Sequence, residues 1–147
     1  MAGESWAQQA INRFFASRKS PTRIECDEAA RSLSGASTVR PVDIPGSLSY
    51  TVVCTSCREQ QWDLVVSFRE SEARLDGDLV NLAKEVHGCL VPEATYHGMM
   101  NGADPPLAIY AMPRLTGVSC LEVLSCQVEM NSLDEARHGC YIRHLAR

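Results

Sequence analysis

The chain has 147 residues, of which 45% are hydrophobic and 22% charged, and its formal net charge is −4. This length corresponds to one ordinary domain with enough apolar content for a core. The acidic balance argues against a nucleic-acid-binding protein, which would present a basic surface. The sequence holds no run of about 18 apolar residues of the kind that spans a membrane, and its polar start lacks the apolar centre of a signal peptide. The 7 cysteines have no regular spacing, so we expect reduced thiols in a cytoplasmic protein.

A helix is predicted over residues 5–18, where Trp6, Ile11, Phe14 and Phe15 fall on one face. This pattern is typical of a helix that packs on the outside of a domain. A partner-binding helix and a mitochondrial presequence are the alternatives.

A second helix is predicted over residues 22–35. Thr22 and Glu25 stand at the spacing of a capping box, in which each side chain bonds a free backbone N–H group at the helix start. Gly35 suits the end of this helix. The prolines that follow mark the passage from helices to a sheet.

The middle of the chain predicts a sheet with one helix packed against it. Residues 39–57 read as a hairpin, and residues 64–69 as a buried strand that ends on Arg69. The following helix has an apolar stripe at steps of three and four residues, formed by Leu79, Leu82, Ala83 and Val86. Residues 94–97 and 107–112 are predicted to be adjacent strands, because the segment between them is rich in turn-forming residues.

Several short motifs in this region occur together. They are Gly46-Ser47-Leu48-Ser49-Tyr50-Thr51-Val52, Val66-Ser67-Phe68-Arg69, Leu90-Val91-Pro92, Ile109-Tyr110-Ala111-Met112 and Leu115-Thr116-Gly117. In this order they resemble the N-terminal lobe of aminoglycoside-phosphotransferase-like kinases, most closely the divergent fungal members often found in natural-product gene clusters. The resemblance covers roughly residues 40 to 130.

The resemblance implies an α+β fold. We expect a kinase-like N-lobe of about five antiparallel strands, with one helix packed on the sheet between its third and fourth strands and helices at both termini. The corresponding segments are a helical segment at 1–38, the lobe at 39–117, and a helical segment at 118–147 that would lead into a C-terminal lobe.

The resemblance also implies a nucleotide site. In kinases the turn that corresponds to Gly46, Ser47 and Ser49 lies over the nucleotide, where backbone N–H groups meet phosphate oxygens. Taken alone, this turn is also compatible with an ordinary hairpin. Met112 would begin the hinge to Leu115, whose backbone would bond the adenine.

The most specific hypothesis about the site is that Arg69 and Glu85 form an ion pair that faces the nucleotide. Kinases usually place lysine at the position of Arg69, where it holds the phosphates and is held by a glutamate on the next helix. Arginine at this place is usual in the fungal group, although the two cations are not interchangeable. The alternative is a structural ion pair, or two solvated charges with little mutual stabilisation.

Catalytic and metal-binding motifs of the family are missing from these residues. The catalytic loop has the form H-G-D-x-x-x-x-N, in which the aspartate accepts the proton of the substrate hydroxyl. The three His-Gly pairs, at His87, His97 and His138, are followed by Cys89, Met99 and Cys140 instead. We therefore expect no catalytic residue and no magnesium site here. The lone C-x-x-C pair at Cys54 and Cys57 lacks the partners of a zinc site, so structural thiols are expected.

Two functions of different class follow. The first is a truncated aminoglycoside-phosphotransferase-like protein that binds ATP weakly and does not transfer phosphate by itself; the resemblance implies a fungal secondary-metabolite pathway. The second is a non-catalytic binding or regulatory partner of other pathway proteins. In that case an apolar face would contact a protein partner or a second copy.

Overall fold

The computed structural model describes residues 5–56, 63–117 and 132–145. The chain forms two compact units, Met1–Leu115 and Thr116–Arg147. The elements of the first unit are α1 (Trp6–Ala16), α2 (Arg23–Ser34), β1 (Thr38–Pro41), β2 (Ser49–Thr55), β3 (Leu64–Glu70), α3 (Gly77–His87), β4 (Thr95–Met99) and β5 (Leu107–Pro113). Short 3₁₀ turns at Ser71–Ala73 and Gly88–Leu90 flank α3. The predicted α+β class is confirmed.

The five strands form one antiparallel sheet in the spatial order β1-β2-β3-β5-β4. β1 and β2 are the predicted hairpin. β2 pairs with β3 and β3 with β5, so Tyr50, Phe68 and Ile109 lie in one row across the sheet. β4 pairs with β5 at the far edge, and its register shifts between Tyr96 and Met99.

The two N-terminal helices begin and end at local signals in the sequence. The Thr22 hydroxyl accepts the N–H of Glu25 at 3.3 Å, and the Glu25 carboxylate accepts the N–H of Thr22 at 2.7 Å, so the predicted capping box is confirmed. Gly35 ends α2 with φ +65°, a left-handed conformation that glycine adopts without steric cost. At the start of α1, the Ser5 hydroxyl accepts the N–H of Gln8 at 3.2 Å.

The hydrophobic core lies between these two helices and one face of the sheet. Its buried members are Ile11, Phe14, Cys26, Ala30, Ala36, Tyr50, Val52, Cys54, Val66, Phe68, Leu107 and Ala111. Phe15 packs against this cluster from α1. Trp6, however, is 60% exposed, so the apolar face predicted for this helix begins only after its first turn.

The prediction that the apolar stripe of α3 packs against the sheet is wrong. The helix stands between the third and fourth strands of the chain as expected, but Leu79, Leu82 and Val86 are exposed and none of its residues is buried. α1 and α2 supply the helical layer of the core instead. The half-buried residues of α3 are Val80, Ala83 and Lys84, which lie on the side of the helix next to the predicted stripe and share only Ala83 with it.

The second unit contains α4 (Ser132–Leu145). This helix lies in the helical segment predicted at 118–147, and its Leu133, Ala136 and Cys140 are exposed. Residues 118–131 of that predicted segment lie outside the described residues. Within the described ranges, none of the helices has the length and apolar character needed to cross a membrane.

Candidate functional site

The face of the sheet that points away from α1 and α2 holds three of the six residues predicted for the nucleotide site. Side chains alternate between the two faces along each strand, so the neighbours of core residues lie on the opposite side, which we call the second face. Three rows cross it, and by register they are Ser49-Arg69-Ala108, Thr51-Ser67-Tyr110 and Val53-Val65-Met112. Ser49, Arg69 and Met112, predicted from sequence to contact nucleotide, therefore share one surface.

The turn between β1 and β2 approaches this face through Gly46. A Cβ atom at position 46 would stand 2.9 Å from Ser49 Oγ, closer than real Cβ contacts come. Ser49 opens β2 directly opposite Arg69, whereas Ser47 is exposed in the turn. The structure thus brings Gly46, Ser49 and Arg69 together at one end of the second face, with Ser47 in the adjoining loop.

Arg69 and Glu85 do not form the predicted ion pair. The Nε–H of Arg69 donates to the carbonyl of Ala73 at 2.5 Å, which turns the side chain toward the 3₁₀ turn that follows β3. Glu85 is exposed on α3. Among the described residues, neither of the two charges has an ion-pair partner. The neighbouring Lys84 is the residue of α3 that pairs, with Glu93 at 2.9 Å.

The middle of the second face contains hydroxyl groups and aromatic rings, and its Ser67 and Tyr110 are buried, with 1% and 5% exposed. The hydroxyls of Thr51 and Ser67 are hydrogen-bonded at 2.9 Å. The rings of Tyr110 and Tyr96 lie 5.3 Å apart between centroids, and the Arg74 guanidinium stands over the Tyr96 ring at 5.5 Å. Arg74 therefore adds a second cation at the β4 side of this face.

The predicted hinge begins within β5, where Met112 pairs with Val65. Met112 lies four residues along β5 from the partner of Arg69, a separation of about 13 Å at the usual rise of a strand. The N–H of Arg114 donates to the Asp63 carbonyl at 2.8 Å, and Pro113 has no N–H. Neither of these two residues has a backbone N–H free for an adenine ring.

A buried ion pair lies behind the site. The Arg18 side chain is fully covered, and its guanidinium bonds the carboxylate of Glu70 at 2.5 Å and the Phe14 carbonyl at 3.1 Å. Its cationic centre also stands 4.0 Å from the centroid of the Phe14 ring. The N–H of Glu70 donates to the Leu48 carbonyl at 3.0 Å, so this pair anchors the strand end that carries Arg69. Sequence analysis missed Arg18, because a cation at a helix end usually lies in solvent.

The cysteine thiols of the described residues are free, and two of them lie in the core. Burial raises the pKa of Cys26 to about 12, with a smaller contribution from the charge of Asp27. Burial also raises the pKa of Cys54. A thiol with a raised pKa has less of the reactive thiolate form at neutral pH. Cys57, the second member of the C-x-x-C pair, lies outside the described residues, and within them no group of three metal-ligating side chains occurs.

Comparisons with known proteins do not identify a family. No family model, no curated protein and no solved structure matches the chain.

Proposed function

We propose that these residues form a kinase-like N-terminal lobe, related to aminoglycoside-phosphotransferase-like kinases, that binds the phosphates of ATP weakly. The observation that carries the proposal is the position of Arg69. It is a cation on the second face, opposite Ser49, without an ion-pair partner among the described residues.

The chemistry of this end of the face suits an anion. An arginine guanidinium has five N–H donors in a planar fork that matches phosphate oxygens, and the bond to Ala73 uses only the Nε–H of Arg69. Ser49 contributes a hydroxyl beside Arg69. Gly46, which has no Cβ atom, allows the turn to come close to Ser49. The element order supports the family, since a hairpin, a strand, a helix and two further strands follow one another as in the resemblance.

The proposed lobe does not transfer phosphate by itself. Phosphoryl transfer depends on an aspartate that positions the acceptor hydroxyl and on ligands for the metal ions. None of the three His-Gly pairs of the 147 residues continues into aspartate. The lobe would therefore contribute binding of the nucleotide and no chemical step.

Titration with MgATP and with adenosine tests the proposal. Arg69→Gln removes the cation, and a charge-assisted hydrogen bond to phosphate is worth about 1.5–3 kcal/mol. We therefore expect binding of MgATP to weaken about tenfold or more, while binding of adenosine stays unchanged. Arg31→Gln, which removes an exposed cation from α2, is the matched control. Absence of MgATP binding at millimolar concentration, or equal affinities of wild type and Arg69→Gln, would refute the nucleotide site.

A second candidate function is non-catalytic binding of another protein. It is favoured by one observation, the exposed apolar stripe of α3. Leu79, Leu82 and Val86 are all more than half exposed, which is unusual for three large apolar side chains on one helix face.

A further inference from the structure

A further exposed apolar side chain follows α3 in the chain. Leu90, in the 3₁₀ turn after the helix, is 73% exposed, and it follows Leu79, Leu82 and Val86 along the chain. We call these four residues the α3 stripe. Helical residues three, four or seven apart share one face, so the three helical members form a seam of the kind that a partner helix covers.

The excess negative charge of the sequence lies in the segment that carries this stripe, where Glu70 is paired with Arg18 and Glu93 with Lys84. Residues 70–93 contain six carboxylates, at positions 70, 72, 76, 78, 85 and 93, and two cations, Arg74 and Lys84, so their net charge is −4. The whole chain also has a net charge of −4. The remaining residues, 1–69 and 94–147, therefore have a net charge of zero, with 12 acidic and 12 basic residues.

Two of the six carboxylates lie on α3 beside the stripe. Asp78 and Glu85 are seven residues apart, so they lie along the same side of α3 next to the stripe, and both are exposed. Asp76 lies at the helix start, where its carboxylate accepts the N–H groups of Asp78 and Leu79. The one lysine of α3, Lys84, is paired with Glu93.

We infer that the α3 stripe is a docking surface for a basic amphipathic helix of another protein. Leucine-type side chains of such a helix would cover the stripe, and lysine or arginine residues at its edges would face Asp78 and Glu85. The inference rests on the second candidate function and names its partner class. It is independent of the nucleotide site.

Charge also argues against a second copy of this chain as the occupant. Two copies joined through their α3 stripes would bring two acidic borders together, and like charges at an interface disfavour association. A basic helix avoids this repulsion and adds attraction that depends on salt.

Two synthetic peptides test the inference. Both have 18 residues and the same leucine positions at helical spacing; one carries lysine and the other glutamate at the flanking positions. Their binding to the full chain is followed by fluorescence anisotropy at about 0.05 M and 1 M salt. We expect the lysine peptide to bind at least about tenfold more tightly at low salt, and this preference to shrink at high salt, where the Debye length falls to about 3 Å.

Surface variants locate the binding. Leu82→Gln should weaken the lysine peptide about tenfold or more, and Asp78→Asn combined with Glu85→Gln should remove the preference for lysine over glutamate. Ile24→Gln combined with Glu28→Gln changes an exposed apolar and an exposed acidic residue of α2 and is the matched control.

Three other outcomes would refute the inference in different ways. If both peptides bind equally and Leu82→Gln weakens both, the basic partner is refuted, while a binding function of the stripe survives. If neither peptide binds and sedimentation shows a dimer that Leu82→Gln dissociates, the occupant is a second copy. If neither peptide binds and the chain is monomeric, both the inference and the second candidate function fail.

Discussion

Glu70→Ala should destabilise the first unit strongly, because it leaves a buried charge without its counterion. The Arg18 side chain is 0% exposed and that of Glu70 is 23% exposed. Removing one partner of a buried pair costs about 3–5 kcal/mol. Arg18 would keep its contacts with Phe14, and water reaches the partly open position of Glu70. We therefore expect a loss of about 2–3 kcal/mol in the free energy of unfolding.

Urea unfolding followed by circular dichroism measures this loss. With a slope of about 1–3 kcal/mol per molar urea, the midpoint should fall by about 0.7–3 M. Glu70→Gln retains an oxygen that accepts from Arg18 and should cost about half as much.

The adjacent cation provides the control for this prediction. Lys19 pairs with Asp104 at 3.4 Å, but the two side chains are 88% and 64% exposed. Lys19→Ala should therefore change the free energy of unfolding by less than about 0.5 kcal/mol. If Glu70→Ala has an effect as small as that of Lys19→Ala, the claim that a buried ion pair anchors β3 is refuted.

Two further predictions concern stability. Thr22→Ala removes the hydroxyl that accepts the N–H of Glu25 and should cost about 1 kcal/mol by urea unfolding; an unchanged midpoint would mean that the capping box does not stabilise α2. The second is a pH dependence: burial raises the pKa of Cys26 to about 12, whereas in the unfolded chain this thiol ionises near its ordinary pKa of about 8.5. Its contribution is therefore complete below that pH and is lost as pH rises toward 12, at about 1.4 kcal/mol per pH unit. The free energy of unfolding, measured between pH 8.5 and 10, should fall less steeply with pH in Cys26→Ala than in the wild type. Equal slopes in the two proteins would contradict the raised pKa of Cys26.

Local signals in the sequence predicted the elements well. The capping box at Thr22, the glycine at the end of α2 and the alternation of Tyr50, Val52 and Cys54 each act over a few residues, so they can be recognised without knowing the rest of the fold. The same is true of the apolar run that became β3. The α+β class and the antiparallel strands followed from these elements and their order.

These local patterns do not predict contacts between residues that are far apart in the chain. An apolar stripe indicates that a helix has a face to cover, but it does not say whether this chain covers it. The stripes of α1 and α2 reached the sheet, whereas that of α3 did not. The burial of Arg18 depends on Glu70, 52 residues away, and the contact of Arg69 with Ala73 replaced the expected pair with Glu85.

Caps, turns and alternation are local interactions, so the bounds of helices and strands could be predicted from the amino-acid sequence. Which faces are buried depended on contacts between elements that are distant in the chain. Register placed Ser49, Arg69 and Met112 on the second face, because neighbouring residues of a strand point to opposite sides. α1 and α2 pack on one face of the sheet, and this packing encloses Arg18. None of the residues of α3 belongs to the buried core, so the α3 stripe stays exposed.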